Sequence, residues 1–129
     1  MKPGAHIRNA VAGLVLAAAF FFAPSAIARA TPEALPEIAA AELPKEGREV
    51  LAQISQGGPF RYDRDGVVFG NYEKLLPAQH RGYYHEYTVH TPGSKNRGAR
   101  RIICGGPVKT PDACFYTSDH YRSFLRIRE

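Results

Sequence analysis

Cysteine is scarce in this 129-residue chain: only Cys104 and Cys114 occur. Two cysteines without neighbouring histidines do not supply four zinc ligands, which argues against a metal-stapled fold. A membrane-length apolar run is missing too. The longest candidate, AVAGLVLAAAFFFAP from Ala10 to Pro24, falls short of the ~20 residues that a bilayer core requires. Internal repeats and extended low-complexity segments are also lacking, so nothing points to a repeat architecture.

What is present begins with a targeting pattern. Lys2 and Arg8 precede the apolar stretch, and small-x-small sites follow at Ala26-Ile27-Ala28 and Ala28-Arg29-Ala30. This is the layout of a secretory signal peptide over residues 1–30, cut after Ala28 or Ala30. A membrane anchor is the competing reading, disfavoured by the short run and the cleavage sites. The expected product is secreted or periplasmic, and no membrane contact is expected after cleavage. It keeps 101 or 99 residues, enough for one small domain with a limited core. Both cysteines survive into that oxidising compartment, so a single Cys104–Cys114 bridge is the economical reading.

Loss of Lys2, Arg8 and Arg29 would lower the formal charge from +5 to +2. The remaining charge is uneven. Glu33 to Glu49 holds five acids and two bases, whereas Lys95 to Arg128 holds eight bases against Asp112 and Asp119. A basic half raises the local concentration of polyanions, which makes phosphate-bearing partners plausible.

Residues 31–42 mix Pro, Ala and Glu and read as a flexible leader. The domain proper is expected over residues 43–129. In LPKEGREVLAQISQGG, Pro44 suits a first helical turn and Glu46 and Glu49 sit near its positive end. Val50, Leu51 and Ile54 share one face, and Gly57-Gly58 with Pro59 stop the helix. Beyond it the period changes to two. Val67–Phe69, Tyr83–Val89, Ala99–Cys104 and Tyr121–Ile127 are short β-branched or aromatic runs bounded by turn residues. The expected class is α+β, with one N-terminal amphipathic helix packed on an antiparallel sheet.

Within YYHEYTVHTPGSKNRGARRII, alternation puts Tyr84, Glu86 and Thr88 on one face, and Arg97, Ala99 and Arg101 on one face of the return run. A turn centred between Gly93 and Ser94 would set Glu86 opposite Arg101, while Arg100 alternates away. RNA cleavage needs one base for the ribose 2′-OH, one acid for the leaving 5′-oxygen, and cations for the phosphoryl oxygens. Glu86 can be the base, and Arg97 and Arg101 can clamp phosphate with planar forks. The acid should titrate near neutrality, which nominates a histidine. His85 alternates away from Glu86, His90 lies near the turn and His80 stands in a loop. His120 begins the last run beside Asp119, although an exposed or structural histidine is the default at each position.

Three separated stretches, DGVVFGNYEKLLP, GYYHEYTVHTPGSKNRGARRIIC and YTSDHYRSFLRIR, resemble the bacterial guanyl-specific ribonucleases of the barnase and Sa type. The helix region LPKEGREVLAQISQGGPF resembles the Sa type as well, so the likeness spans Leu43 to Arg128. The resemblance implies the microbial ribonuclease fold, with Glu86 as general base, His120 as general acid, and Arg97 and Arg101 stabilising the transition state. It implies a guanine pocket in Phe69, Gly70, Asn71, Tyr72 and Glu73. There Glu73 accepts from guanine N1–H and N2–H₂, backbone N–H groups around Asn71 and Tyr72 meet O6, and Phe69 supports the base. Tyr121 would help to bind phosphate beside His120. Read without the family, Glu73 is only a solvated acid after a strand.

This chain departs from the family in two places. Tyr72 stands where an arginine is usual, and the cysteines that tie the termini of Sa-type enzymes are replaced by the inner Cys104–Cys114 pair. The resemblance also implies a metal-independent, cofactor-free monomer acting on single-stranded RNA, with a barstar-like inhibitor as a protein partner. The reading from another class is a non-catalytic RNA- or polyanion-binding module on the same basic face. A binder would need neither Glu86 nor His120.

Overall fold

The computed structural model describes residue 4, residues 12–22 and residues 34–129. The expected cleavage sites after Ala28 and Ala30 lie outside these residues. Residues 12–22 carry no helix or strand, and among the described residues no helix is long and apolar enough to cross a membrane.

Among the described residues, one α-helix and six strands follow in the order β1 (Glu37–Ala39), a 3-10 turn (Ala40–Glu42), α1 (Lys45–Gln56), β2 (Val67–Val68), β3 (Tyr84–Thr88), β4 (Arg101–Gly105), β5 (Ala113–Thr117) and β6 (Leu125–Arg128). Pro44 caps the start of α1, and Gly57 ends it in the left-handed region at φ 80°, where a Cβ would be strained. The strands form one sheet in the order β1-β6-β5-β4-β3-β2, antiparallel except for the parallel β1–β6 pair. The expected class, one helix on a mainly antiparallel sheet, is the observed one.

Alternation divides the sheet cleanly. Tyr87, Ile102, Cys104, Tyr116 and Ile127 face the helix and pack with Leu43, Val50 and Ile54. Tyr84, Ile103 and Phe115 point the other way and join Leu76 and Phe124 in a second apolar cluster. Glu86, Thr88, Arg101 and Thr117 are buried polar residues aligned with this second face. The helix therefore supplies the core on one side, and the opposite side is left for polar chemistry.

Several expectations are corrected. The leader is structured from Glu37 onward, because Glu37, Ile38 and Ala39 pair with Arg126, Ile127 and Arg128. The strand β5 went unexpected, and the last strand starts at Leu125 rather than Tyr121. Glu86 lies opposite Ile103, and Arg101 lies opposite Thr88. The offset from the expected pairing is two residues, because a loop over residues 89–100 replaces the tight turn. An even offset preserves the face of every side chain, so Glu86 and Arg101 still share a surface.

Cys104 and Cys114 are directly opposed on β4 and β5 and are disulfide-bonded. The bridge sits on the helix side, away from Glu86. Replacing both cysteines by serine is expected to lower stability by roughly 2.5–3 kcal/mol, the loop-closure value for so short a loop. Denaturant unfolding measures that loss. Turnover by the folded variant should be unchanged, and a large loss of turnover would contradict this placement.

Candidate active site

Glu86 is held by β3 in the middle of the open face and is only 7% exposed. Such a carboxylate must be paired or hydrogen-bonded. Tyr121 donates its hydroxyl to Glu86 Oε2 at 2.9 Å, and Arg97 Nη2 stands 3.8 Å from Oε1. Burial pushes the Tyr121 phenol above its ordinary range, and the negative Glu86 pushes it the same way. Tyr121 is thereby kept a donor toward the carboxylate.

Arg101 is still more enclosed, at 3% exposure. Its Nη1 donates to the carbonyls of Arg97 (3.3 Å), Gly98 (3.0 Å) and Arg100 (2.8 Å), and its Nε donates to the Tyr121 hydroxyl at 3.2 Å. The guanidinium carbon lies 5.8 Å from the centre of the Tyr121 ring. Arg97 is not on the return strand. It sits in the 89–100 loop and reaches back to the site, donating Nε and Nη2 to Thr88 Oγ1 at 3.1 and 2.9 Å.

His120 is likewise in a loop rather than at a strand start, exposed and at φ 57°; Tyr121 follows at φ 71°. Two consecutive left-handed residues other than glycine are costly and persist only where surrounding contacts over-determine them. Asp119 provides those contacts. Its carboxylate accepts from the Ser123 hydroxyl, the Thr117 hydroxyl, and the N–H groups of Arg122 and Ser123. The Thr117 hydroxyl accepts the Tyr121 N–H, and the Ala99 carbonyl accepts the His120 N–H at 3.0 Å.

Glu86, Arg97, Arg101, His120 and Tyr121 line one cleft of about 420 Å³, together with Arg64, Val68, Phe69, Gly70 and Tyr72. All four expected catalytic residues meet there. Beside it lies a smaller hollow of about 190 Å³, bounded by Phe69, Asn71, Tyr72, Glu73, Leu75, Tyr121 and Phe124. The Phe69 ring stacks on Tyr121 at 5.4 Å and meets Phe124 edge-on at 6.2 Å, giving an apolar floor sized for a flat ring. Asn71 closes the loop by bonding the Leu76 backbone twice, Nδ2 to the carbonyl at 3.0 Å and Oδ1 from the N–H at 3.1 Å. Its φ of 50° suits asparagine. Glu73 stands exposed at the rim. The ring of Tyr72, itself 90% exposed, lies so close over Gly70 that a Cβ there would come within 2.4 Å of it. Only glycine admits the ring in that position.

The parts played by three residues and one contact are not legible in the sequence. Arg64, in the DRDG turn, lines the cleft without any periodicity to announce it. Thr88 was placed on the Glu86 face, but its hold on Arg97 needed the loop conformation. Asp119 was noticed only as a neighbour of His120. The link from Tyr121 to Glu86 spans 35 residues, and no local pattern signals it. Among the described residues, no cluster of three or more His, Cys, Asp or Glu side chains is arranged to hold a metal.

A family model described as ribonuclease matches residues 27–128. Guanyl-specific ribonuclease Sa3 of Kitasatospora aureofaciens is 51% identical over 98 residues, covering 76% of this chain and 67% of the relative. Guanyl-specific ribonuclease Sa of the same organism is 52% identical over 85 residues, covering 66% and 85%. Among solved structures, ribonuclease Sa2 with guanosine-2'-cyclophosphate is similar with a TM-score of 0.67 at 43% identity, over 74% of this chain and 97% of that one.

The Asp119 hydrogen bonds predict a specific acid response. The Ser123 hydroxyl, foremost among the donors, helps to lower its pKa from the ordinary 3.8 to about 2. A carboxylate depressed on folding contributes stability that is full above its unfolded pKa and lost as pH falls through the folded one. Asp119→Asn should therefore melt below wild type above about pH 4, with the gap closing toward pH 2. Thermal unfolding of both proteins across that range measures it, and a gap independent of pH would refute this account.

Proposed function

This chain belongs to the ribonuclease family and is a guanyl-specific endoribonuclease, and we propose that Glu86 and His120 are the base and acid with which it acts. Cleavage falls on the 3′ side of guanosine and passes through a 2′,3′-cyclic phosphate. The observation that carries the residue assignment is one cleft in which a buried carboxylate, three guanidinium groups (Arg64, Arg97 and Arg101) and an exposed imidazole converge.

The chemistry follows from those positions. Glu86 takes the proton of the ribose 2′-OH as that oxygen attacks phosphorus. The bond from phosphorus to the 5′-oxygen breaks, and His120 gives a proton to the departing oxygen. Arg97 and Arg101 face the phosphoryl oxygens as charge gathers on them, in a cleft where water is partly excluded. In the second step His120 takes a proton from water as the water oxygen attacks the cyclic phosphate; the bond from phosphorus to the 2′-oxygen breaks, and Glu86 returns a proton to that oxygen, leaving a 3′-phosphate. The arginines supply the positive charge that a metal ion would otherwise bring, so the mechanism we propose is metal-independent.

Tyr121 holds a place between base and cation. Its hydroxyl donates to Glu86 and accepts from Arg101, which fixes the carboxylate where a 2′-OH arrives. In the neighbouring hollow, the base would lie against Phe69, with Glu73 accepting from guanine N1–H and N2–H₂ and the loop backbone at Asn71 and Tyr72 meeting O6. Adenine has an acceptor at N1 and no amino group at C2, so it would leave Glu73 unpaired, which is how a polar pocket rejects the wrong base. Tyr72, in place of the family arginine, leaves backbone recognition intact and removes one cation from the rim.

The substrate is nucleic acid, and we propose single-stranded RNA because the base must leave a duplex to enter the hollow. Export by a signal peptide over residues 1–30 is supported by Lys2, Arg8, the apolar stretch and the two small-x-small sites. A monomer controlled by a barstar-type inhibitor is supported by family membership.

Digestion of a defined RNA in excess chelator, with every cut mapped, tests mechanism and pocket together. Cuts after guanosine with undiminished rate are expected, and loss of activity on chelation would overturn the metal-independent mechanism. Glu86→Gln should fold and lose roughly 10²–10⁴-fold in turnover, and the unmodified enzyme should give a bell-shaped rate against pH whose acid limb the variant lacks. Near wild-type turnover would remove Glu86 as the base. Glu73→Ala should reduce kcat/KM after guanosine far more than after adenosine; equal losses would remove Glu73 from recognition.

A further inference from the structure

Arg100 sits next to Arg101 in sequence and points to the opposite side of the sheet. It lines neither the cleft nor the base hollow, yet it is the centre of its own polar cluster. Its Nη2 lies 3.5 Å from Glu46 Oε2 in the first turn of α1, with both side chains largely shielded. Its Nε donates to Thr91 Oγ1 at 3.2 Å, and Nη2 also donates to the His90 carbonyl. The His90 ring is in turn bonded through Nδ1 to the Tyr62 hydroxyl at 3.0 Å. The Arg100 carbonyl accepts the Val89 N–H at 3.1 Å.

These contacts close the 89–100 loop at its base. His90 and Thr91 are at its entry, Arg100 is at its exit, and Glu46 fastens the junction to the helix. From the other face, Arg101 grips the carbonyls of Arg97, Gly98 and Arg100. The residue between the gripped positions, Ala99, presents the carbonyl that receives the His120 N–H. The same short segment therefore carries the Arg97 side chain and anchors the His120 backbone. Two adjacent arginines hold it from opposite sides.

We propose that Arg100, oriented by Glu46, is a positioning residue for the reaction: it fixes the loop that aims Arg97 at phosphate and sets the Ala99 carbonyl on which His120 hangs. This rests on the assignment of Arg97 and His120 given above. A shift of a reacting group by about 1 Å can cost about 10²-fold in rate, so a tether that touches no substrate can still govern turnover. Replacing the fork of Arg100 by a shorter amide leaves the loop joined to β4 but frees its attachment to the helix. Phe69, Asn71, Glu73 and Phe124 of the base hollow take no part in this tether, and only the Tyr121 wall is linked to the loop, through Arg101 and His120.

The test compares Arg100→Gln, Glu46→Gln, Arg97→Ala and the double variant Arg97→Ala/Arg100→Gln in the purified enzyme. A guanylyl dinucleotide is the substrate, and guanosine is the competitive probe of the hollow. Arg100→Gln is expected to lower kcat about tenfold or more, with the inhibition constant for guanosine within about twofold of wild type. The double variant should fall by less than the product of the two single losses, because both substitutions act through one loop. Thermal unfolding checks that each variant is folded; if Arg100→Gln is not, Glu46→Gln is read by the same criteria. Unchanged kcat in a folded tether variant, or losses that multiply, would overturn the proposal while leaving the Arg97 assignment standing. Full activity of Arg97→Ala would instead overturn that assignment, and this inference with it.

Discussion

A guanidinium enclosed to 3% exposure has to find partners for its five N–H groups, and the architecture around Arg101 is arranged by that demand. Three loop carbonyls and a phenol oxygen converge on it. The carbonyls belong to the segment that carries Arg97. The phenol belongs to Tyr121, whose hydroxyl continues to Glu86. One buried cation thus disciplines a loop, an aromatic ring and a carboxylate together. A lysine there would offer a point charge on a flexible stem instead of a planar fork, and could not address all of these acceptors.

The division of the sheet into two faces makes this possible. Helix α1 seals one side with an aliphatic cluster that includes Val50 and Ile54. The other side can then keep polar groups low in the sheet, because Tyr84, Ile103, Phe115 and Phe124 supply enough apolar contact around them. Glu86 and Arg101 need not be adjacent across the ladder. They need only emerge from the same side, with Tyr121 spanning the gap.

That requirement explains which features were legible in the sequence. The helix was readable because a proline start, a 3.6-residue stripe and a glycine stop agree. The face shared by Glu86 and Arg101 was readable because strand parity is fixed by the pleat, and it survived a two-residue error in pairing. Strand β1 was hidden: three residues in a Pro- and Ala-rich segment have no pattern of their own and become a strand only through β6. The β5 run ACFYT went unread beside the disulfide loop, where turn residues dominate. His120, Asp119 and Tyr121 owe their arrangement to left-handed backbone and side-chain bonds, neither of which leaves a periodic trace. The role proposed for Glu73 rests on family likeness, since an exposed acid after a strand carries no chemical signature.

Tyr121 borders both the catalytic cleft and the base hollow. Its hydroxyl donates to the Glu86 carboxylate, the proposed base, while its ring walls the hollow proposed for guanine. A protein engineer who wished to change the preferred nucleobase could not reshape this wall without disturbing the carboxylate behind it, nor retune the carboxylate without moving the wall. Under the proposed assignment, selectivity and rate are two properties of a single side chain.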